Sequence, residues 1–308
     1  MKPLKQAIRP TTIVNAARLS KRLGIDLTIA SETFQYTGSF KFRAAYNLVI
    51  NVSQSHIIAA SSGNFGQALA YACSLVGKAC TVVMPKTSAR VKIDAVREFA
   101  AEVDLIDVHN TSREQRVAEL CRQNPGAYLA SAYDDPWVIE GNATLGDELA
   151  AFGFDVVVVP VGGGGLASGI LLGLRRSGSE AELCLAEPAA ANDAALSLKL
   201  GYIVKSSTEP QTIADGAKTV SLGERNFAIL KNNVSGIIEV TEEAIKQSVR
   251  MLYALVNLKA EPTGALSLAA VLTKPELFVG KRVCLVVSGA NVDAALYSEI
   301  ILASNSLW

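Results

Sequence analysis

Nine short apolar runs, each closed by turn residues, alternate with stretches of helical period along almost the whole chain. No other feature constrains the fold as much. The runs lie at 25–31, 56–60, 79–84, 103–108, 127–130, 155–161, 181–187, 235–240 and 282–288. Amphipathic stretches at 39–51, 65–77, 88–100, 112–124, 137–152, 241–258 and 292–304 fall between them. Strand–helix alternation builds right-handed βαβ units, and hence parallel sheets with helices on both faces. The expected class is α/β. No linker rich in Pro, Gly or Ser divides the 308 residues, so two interleaved lobes about a cleft are expected. Ligands of such sheets bind beyond the carboxyl ends of the strands, so the strand-to-helix loops are read first.

Composition removes several alternatives. Lys and Arg number 29 against 29 Asp and Glu, and apolar residues make up 50%. That balance argues against disorder and against a nucleic-acid partner, which needs a basic face. With His56 and His109 the only histidines, a His-rich metal centre is excluded. The cysteines (Cys73, Cys80, Cys121, Cys184, Cys284) make no C-x-x-C pair, which fits free thiols in a reducing compartment. The first residues lack the apolar segment of a signal peptide, so a cytoplasmic location is expected. Val156–Leu174 carries no charge and has the length of a membrane span. Pro160 and Gly162-Gly163-Gly164-Gly165 break it into a strand, a turn and a helix, and no membrane partner is expected.

Three strand-end loops and one lysine carry the chemistry. Four consecutive glycines, Gly162 to Gly165, leave backbone N–H groups free to point at an anion before a helix, and phosphate is the natural guest. Gly162, Gly164 and Ala167 also satisfy the dinucleotide pattern G-x-G-x-x-G/A, with Glu187 placed for a ribose, so this loop alone does not decide between phosphates. Ser61-Ser62-Gly63-Asn64-Phe65 follows a strand with small hydroxyls, a glycine and an amide, which would suit a carboxylate or simply cap a helix. Ser288-Gly289-Ala290-Asn291 closes another strand. Lys41, between Phe40 and Phe42 in the first turn of a helix, should be desolvated, which lowers its pKa towards a nucleophilic amine. A phosphate loop, a carboxylate loop and such a lysine together describe a Schiff-base cofactor with a phosphate, namely pyridoxal phosphate.

With these motifs the sequence resembles the fold-type-II pyridoxal-phosphate enzymes, most closely the serine racemase and serine/threonine dehydratase family. The matching segments are Ser39-Phe40-Lys41-Phe42-Arg43, Ser61-Ser62-Gly63-Asn64, the tetraglycine loop, Thr212-Ile213-Ala214-Asp215-Gly216, Glu261-Pro262-Thr263 and Ser288-Gly289-Ala290-Asn291. They occur in the family's order and span nearly the whole chain. The resemblance implies a tryptophan-synthase-β-like α/β fold, each lobe having a mostly parallel sheet flanked by helices. A large cofactor lobe would comprise residues 1–50 and 133–308, and a small substrate lobe 54–132. It further implies a homodimer.

Roles follow from the resemblance by position. Lys41 would hold the cofactor and shuttle the Cα proton. Asn64 would bond the ring's 3′-oxygen, Gly162, Gly163, Gly164, Gly165 and Leu166 the phosphate, and Ser288 the pyridine nitrogen. A serine there leaves that nitrogen largely unprotonated, which suits β-elimination better than transamination. Ser61, Ser62, Gly63, Asn64, Phe65, Arg113 and Thr219 would form the substrate side, with Ser62 as the racemase hydroxyl opposite Lys41. Glu187, the Ala191 carbonyl and Asp193 match the family's divalent-cation loop, which would take Mg²⁺ or Ca²⁺. The implied activity is dehydration of a serine- or threonine-like β-hydroxy amino acid to a 2-keto acid and ammonia, with racemisation as a second or even the main activity. The enzymatic alternative is β-replacement of the cysteine-synthase type, whose Thr-Ser-Gly-Asn-Thr segment this chain lacks. A non-catalytic amino-acid-binding relative would have no use for Lys41. Two departures, Phe65 in place of histidine and Tyr133 in place of asparagine or phenylalanine, point to a substrate larger or less polar than serine. No feedback-regulatory extension of the threonine-dehydratase kind is expected.

Overall fold

The computed structural model describes residues 2–61, 63–88 and 90–303. Among them are ten strands: β1 Thr12–Asn15, β2 Asp26–Ser31, β3 His56–Ala60, β4 Ala79–Pro85, β5 Glu102–Ile106, β6 Tyr128–Ala130, β7 Val156–Pro160, β8 Glu182–Pro188, β9 Gly236–Val240 and β10 Arg282–Val287. They form a six-stranded sheet ordered β1-β2-β10-β7-β8-β9 and a four-stranded sheet ordered β5-β4-β3-β6. Every pairing is parallel except β1 with β2, which is antiparallel. The architecture is the α/β one expected.

Helices on both faces explain why the strands read as unbroken apolar runs. Val156 and Val158 of β7 enter one core with Leu27, Ile29 and Leu285. Val157 and Val159 enter the core on the other face with Leu183, Leu185 and Val286. The four-stranded sheet is covered likewise, with Ile57 and Val82 on one face and Ile58 and Val83 on the other. β1 escapes the sequence reading because it is four residues long, sits at a sheet edge and has no buried residue. No helix among the described residues is long and apolar enough to cross a membrane.

Two close backbone crossings set the position of the site. Helix Pro136–Ala150 packs against helix Gly165–Arg176 through Gly146 and Gly173, where a Cβ would strike the carbonyls of Ile170 and Ala143. At Gly141 the same helix meets the Arg43 carbonyl, at 2.5 Å from where a Cβ would stand. Helices Lys41–Asn51 and Gly165–Arg176 are thus held to one common neighbour. Arg43, fully buried, locks the first turn further. It donates to both carboxylate oxygens of Glu32 at 2.7 and 2.9 Å, to Glu148 at 2.7 Å and to the Thr144 hydroxyl at 3.1 Å.

Candidate active site

The carboxyl ends of β3, β6, β7 and β10 converge on a cavity of about 410 Å³. Lys41, Ser61, Gly63, Asn64, Phe65, Arg113, Thr219, Ser288, Leu166 and the four glycines 162–165 all face it. Segments far apart in sequence are therefore neighbours here. Ser62 lies outside the described residues. Glu187, Ala191 and Asp193 are not in the cavity wall.

Lys41 is the first residue of its helix. Its Nζ donates to the Ala132 carbonyl at 2.7 Å and lies 4.9 Å from the centre of the Phe40 ring and 5.7 Å from that of Phe65. The second flanking phenylalanine is thus Phe65 rather than Phe42, because Phe42 turns the other way and packs against Tyr36, Tyr46 and Tyr71. Burial lowers the lysine pKa to about 8, with Glu261 opposing the shift. An amine of this kind has an appreciable neutral fraction near pH 7 without a partner base.

The glycine loop is a cradle because nothing larger fits. A Cβ on Gly163 would enter the Tyr133 ring, and one on Gly165 would stand 2.7 Å from the Tyr133 carbonyl. Gly164 has φ of +93°, a conformation that side chains rarely adopt. Asn226, fully buried, clamps the loop by donating to the carbonyls of Gly163 at 2.8 Å and Tyr133 at 2.9 Å. The hydroxyls of Ser288 and Thr219 are buried yet have no hydrogen-bond partner among the described residues. Buried polar atoms left bare in this way mark places where a ligand is to be met. A glycine cradle, a desolvated amine and bare hydroxyls in one cavity fit pyridoxal phosphate.

On the opposite wall, the Ser61 hydroxyl accepts the amides of Gly66 at 3.0 Å and Gly63 at 3.4 Å. Asn64 donates to Glu261 at 2.8 Å and accepts from Asn291 at 2.8 Å. Glu261 is buried, and burial raises its pKa to about 7 against the lowering pull of Asn64. At the rim, Lys92 and Lys218 both hold Asp215, at 2.7 and 2.9 Å, and Arg113 reaches Glu209 at 3.4 Å. An adjoining cavity of about 630 Å³ shares Lys92, Arg113 and Asp215 with the first.

Sequence reasoning left three of these residues without a role. Glu261 and Asp215 lie inside family-like segments, yet nothing local marks them as cavity residues. Asn226 stands in no motif. A polar residue in a helix that proves fully buried could have been found only by knowing what packs on it.

The loop of Glu187, Ala191 and Asp193 is built around two buried carboxylates. Glu187 accepts the amides of Ala194 and Ala195, each at 2.9 Å, and so caps helix Asp193–Leu200. Both Asp193 carboxylate oxygens are buried with no partner among the described residues. Burial raises Glu187 to about 8 and Asp193 to about 7. Among the described residues no three acidic, histidine or cysteine side chains gather as a metal cluster.

The family model for pyridoxal-phosphate dependent enzymes matches residues 4–289, and the chain belongs to that family. It is 36% identical over 304 residues to an L-threo-3-hydroxyaspartate ammonia-lyase of Saccharomyces cerevisiae, covering 97% of this chain and 93% of that protein. It is 32% identical to a serine racemase of Schizosaccharomyces pombe, covering 97% and 94%. Among solved structures, the T.th. threonine deaminase superposes with a TM-score of 0.88 at 36% identity, covering 94% of this chain and 95% of that one.

Proposed function

We propose that this protein is a pyridoxal-phosphate-dependent ammonia-lyase that dehydrates a β-hydroxy amino acid to a 2-keto acid and ammonia. The observation that carries the reading is the shared cavity of Lys41, the tetraglycine cradle and a bare Ser288 hydroxyl. When bound, the cofactor supplies an electron sink for the bond to the Cα hydrogen. The chain's own groups do the rest. The glycine amides would hold the phosphate, and Asn64 and Ser288 would meet the ring. The Lys41 amine, facing the cavity, would accept the Cα proton. Lys41 would hand that proton on to the departing β-hydroxyl, which leaves as water, and the enamine product, once free, would take up water to give the keto acid and ammonia. Ser62 is assigned by the family resemblance as the proton donor on the other face, which would make racemisation the second activity.

The relatives' named substrate, 3-hydroxyaspartate, supports a side chain with a second carboxylate. Lys92, Lys218 and Arg113 at the rim are the cations it would meet. They are about one-third exposed or less, while their partners Asp215 and Glu209 are over half exposed, so an incoming carboxylate could take over those contacts. For the loop of Glu187, Ala191 and Asp193 we infer a Mg²⁺ or Ca²⁺ ion, supported by the bare oxygens of Asp193. A cytosolic homodimer completes the reading; it is tested by light scattering and cell fractionation.

The test is a panel of D- and L-serine, threonine and threo-3-hydroxyaspartate, assayed for keto acid, ammonia and the opposite enantiomer. Keto acid with ammonia in equal amounts supports the reading. Turnover only when an external thiol is supplied would establish β-replacement instead. In the Ser62→Ala variant, racemisation of the L-enantiomer should vanish while its elimination persists.

A further inference from the structure

Asn64 sits in a hydrogen-bond chain whose two ends are of unequal chemistry. At one end the Asn291 Nδ2 donates both to the Thr37 carbonyl, at 2.7 Å, and to the Asn64 Oδ1, at 2.8 Å. At the other end the Asn64 Nδ2 donates to Glu261 Oε1 at 2.8 Å. A backbone carbonyl can only accept, and so does the Glu261 oxygen that faces the Asn64 N–H₂ group. Both ends therefore force the same orientation on the amides between them. The carboxyl group is itself fixed in place. The Glu261 amide donates to the Gly289 carbonyl at 3.0 Å, and a Cβ on Gly289 would come within 2.6 Å of Glu261 Oε1. No bulkier residue at 289 would leave the carboxylate there.

We propose that Glu261 is a positioning residue: it holds the Asn64 carboxamide with its N–H₂ group turned away from Asn291, so that one N–H is left for the ring oxygen of the cofactor. The proposal rests on the reading of Asn64 as the residue that meets that oxygen. Replacing Glu261 by a residue that cannot accept leaves the half-buried Asn64 Nδ2 without its partner and lets the amide rotate. Glutamine keeps an acceptor oxygen and should preserve the orientation. The charged groups around the Glu261 carboxyl are Lys41, Lys92 and Asp215, so a test independent of Lys41 chemistry is needed.

Pyridoxine 5′-phosphate provides it, since it keeps the phosphate and the 3′-hydroxyl but lacks the aldehyde that Lys41 attacks. Its dissociation constant is measured on the full chain freed of cofactor, for wild type, Asn64→Ala, Glu261→Ala, the double variant and Glu261→Gln. The expected result is a loss of about tenfold in each single alanine variant. The double variant should be no weaker than Asn64→Ala alone, because a residue acting through another shows no effect once that partner is gone. Glu261→Gln should stay within about threefold of wild type. Multiplying losses in the double variant would show that Glu261 acts on its own account and overturn the proposal. An unchanged Glu261→Ala overturns it as well, and a Gln variant as weak as Asn64→Ala shows that charge, not orientation, matters. An unchanged Asn64→Ala removes the reading of Asn64 itself, and the proposal with it. If Glu261→Ala does not fold, the Gln variant alone still decides between charge and orientation.

Discussion

Lys41 and Arg43 lie in one turn of one helix, both basic, Arg43 fully buried and Lys41 partly so, and the structure treats them in opposite ways. Arg43 is clamped by two carboxylates, a hydroxyl and a backbone carbonyl, so each of its charged edges is met. Lys41 receives one carbonyl and two aromatic faces, and its pKa falls to about 8. Burial penalises the charged form of both. Where opposite charge is supplied in full, the cation becomes a fixed strut. Where it is withheld, the penalty is left to produce a neutral amine, which is the form that reacts. The strut also serves the amine, because it fixes the turn from which Lys41 projects.

The contrast can be broken by substitution. Arg43→Leu leaves Glu32 as a buried, uncompensated charge, a situation that costs about 3–5 kcal/mol. Denaturant melts should show a loss of that order. Lys41→Met should cost much less and can even stabilise, since it removes a desolvated amine. Equal losses from both would mean that the two cations are alike.

Titration sharpens the contrast. Cofactor uptake by the stripped protein, followed by its absorbance, should speed up about tenfold per pH unit below about 8 and level off above. The sign for stability follows from the same shift. A lysine whose folded pKa is depressed weakens the fold while it is charged, so stability of the stripped protein should rise with pH between about 8 and 10.5. An uptake rate flat from pH 6 to 9 contradicts a depressed pKa.

Asp193 is an anionic counterpart of Lys41, buried and bare. If a divalent cation is its missing partner, chelation should lower the wild-type melting temperature by several degrees, as loss of a ligand bound only by the folded state does. Asp193→Asn should be insensitive to chelator. Identical melts with and without Mg²⁺ or Ca²⁺ would leave Glu187 as a helix cap and nothing more.

Lys92 is the half-buried case, a cation with an exchangeable partner. Lys92→Gln should reduce kcat/KM for 3-hydroxyaspartate about tenfold and leave serine within about threefold, in keeping with one charged contact. Equal losses on both substrates would assign Lys92 to holding the rim together.

Much of this could be read from the chain, and what could not has a physical pattern. Nine of the ten strands are apolar runs in the sequence, because two-sided burial leaves a local signature. Lys41 and the tetraglycine loop, which the fold brings into one cavity, stood out in the sequence as a lysine between phenylalanines at a helix start and four glycines at a strand end. Helix Leu266–Thr273 was not, for it is buried on nearly every side and has no polar face to mark its period. Glu261 and Asn226 matter through partners distant in sequence, Asn64 and the 163 carbonyl, and their own neighbourhoods give no sign of it. Phe65, rather than Phe42, covers Lys41 because a strand end and a helix start come together only in the fold.

The central claim is that the unpaired cation of this helix turn carries the cofactor. Borohydride reduction of the yellow holoenzyme followed by peptide mapping tests it most directly. The account predicts a single pyridoxyl label on the peptide containing Lys41, absent from Lys41→Met and retained in Lys92→Gln. A label on another lysine, or a colourless protein that takes up no pyridoxal phosphate, contradicts it.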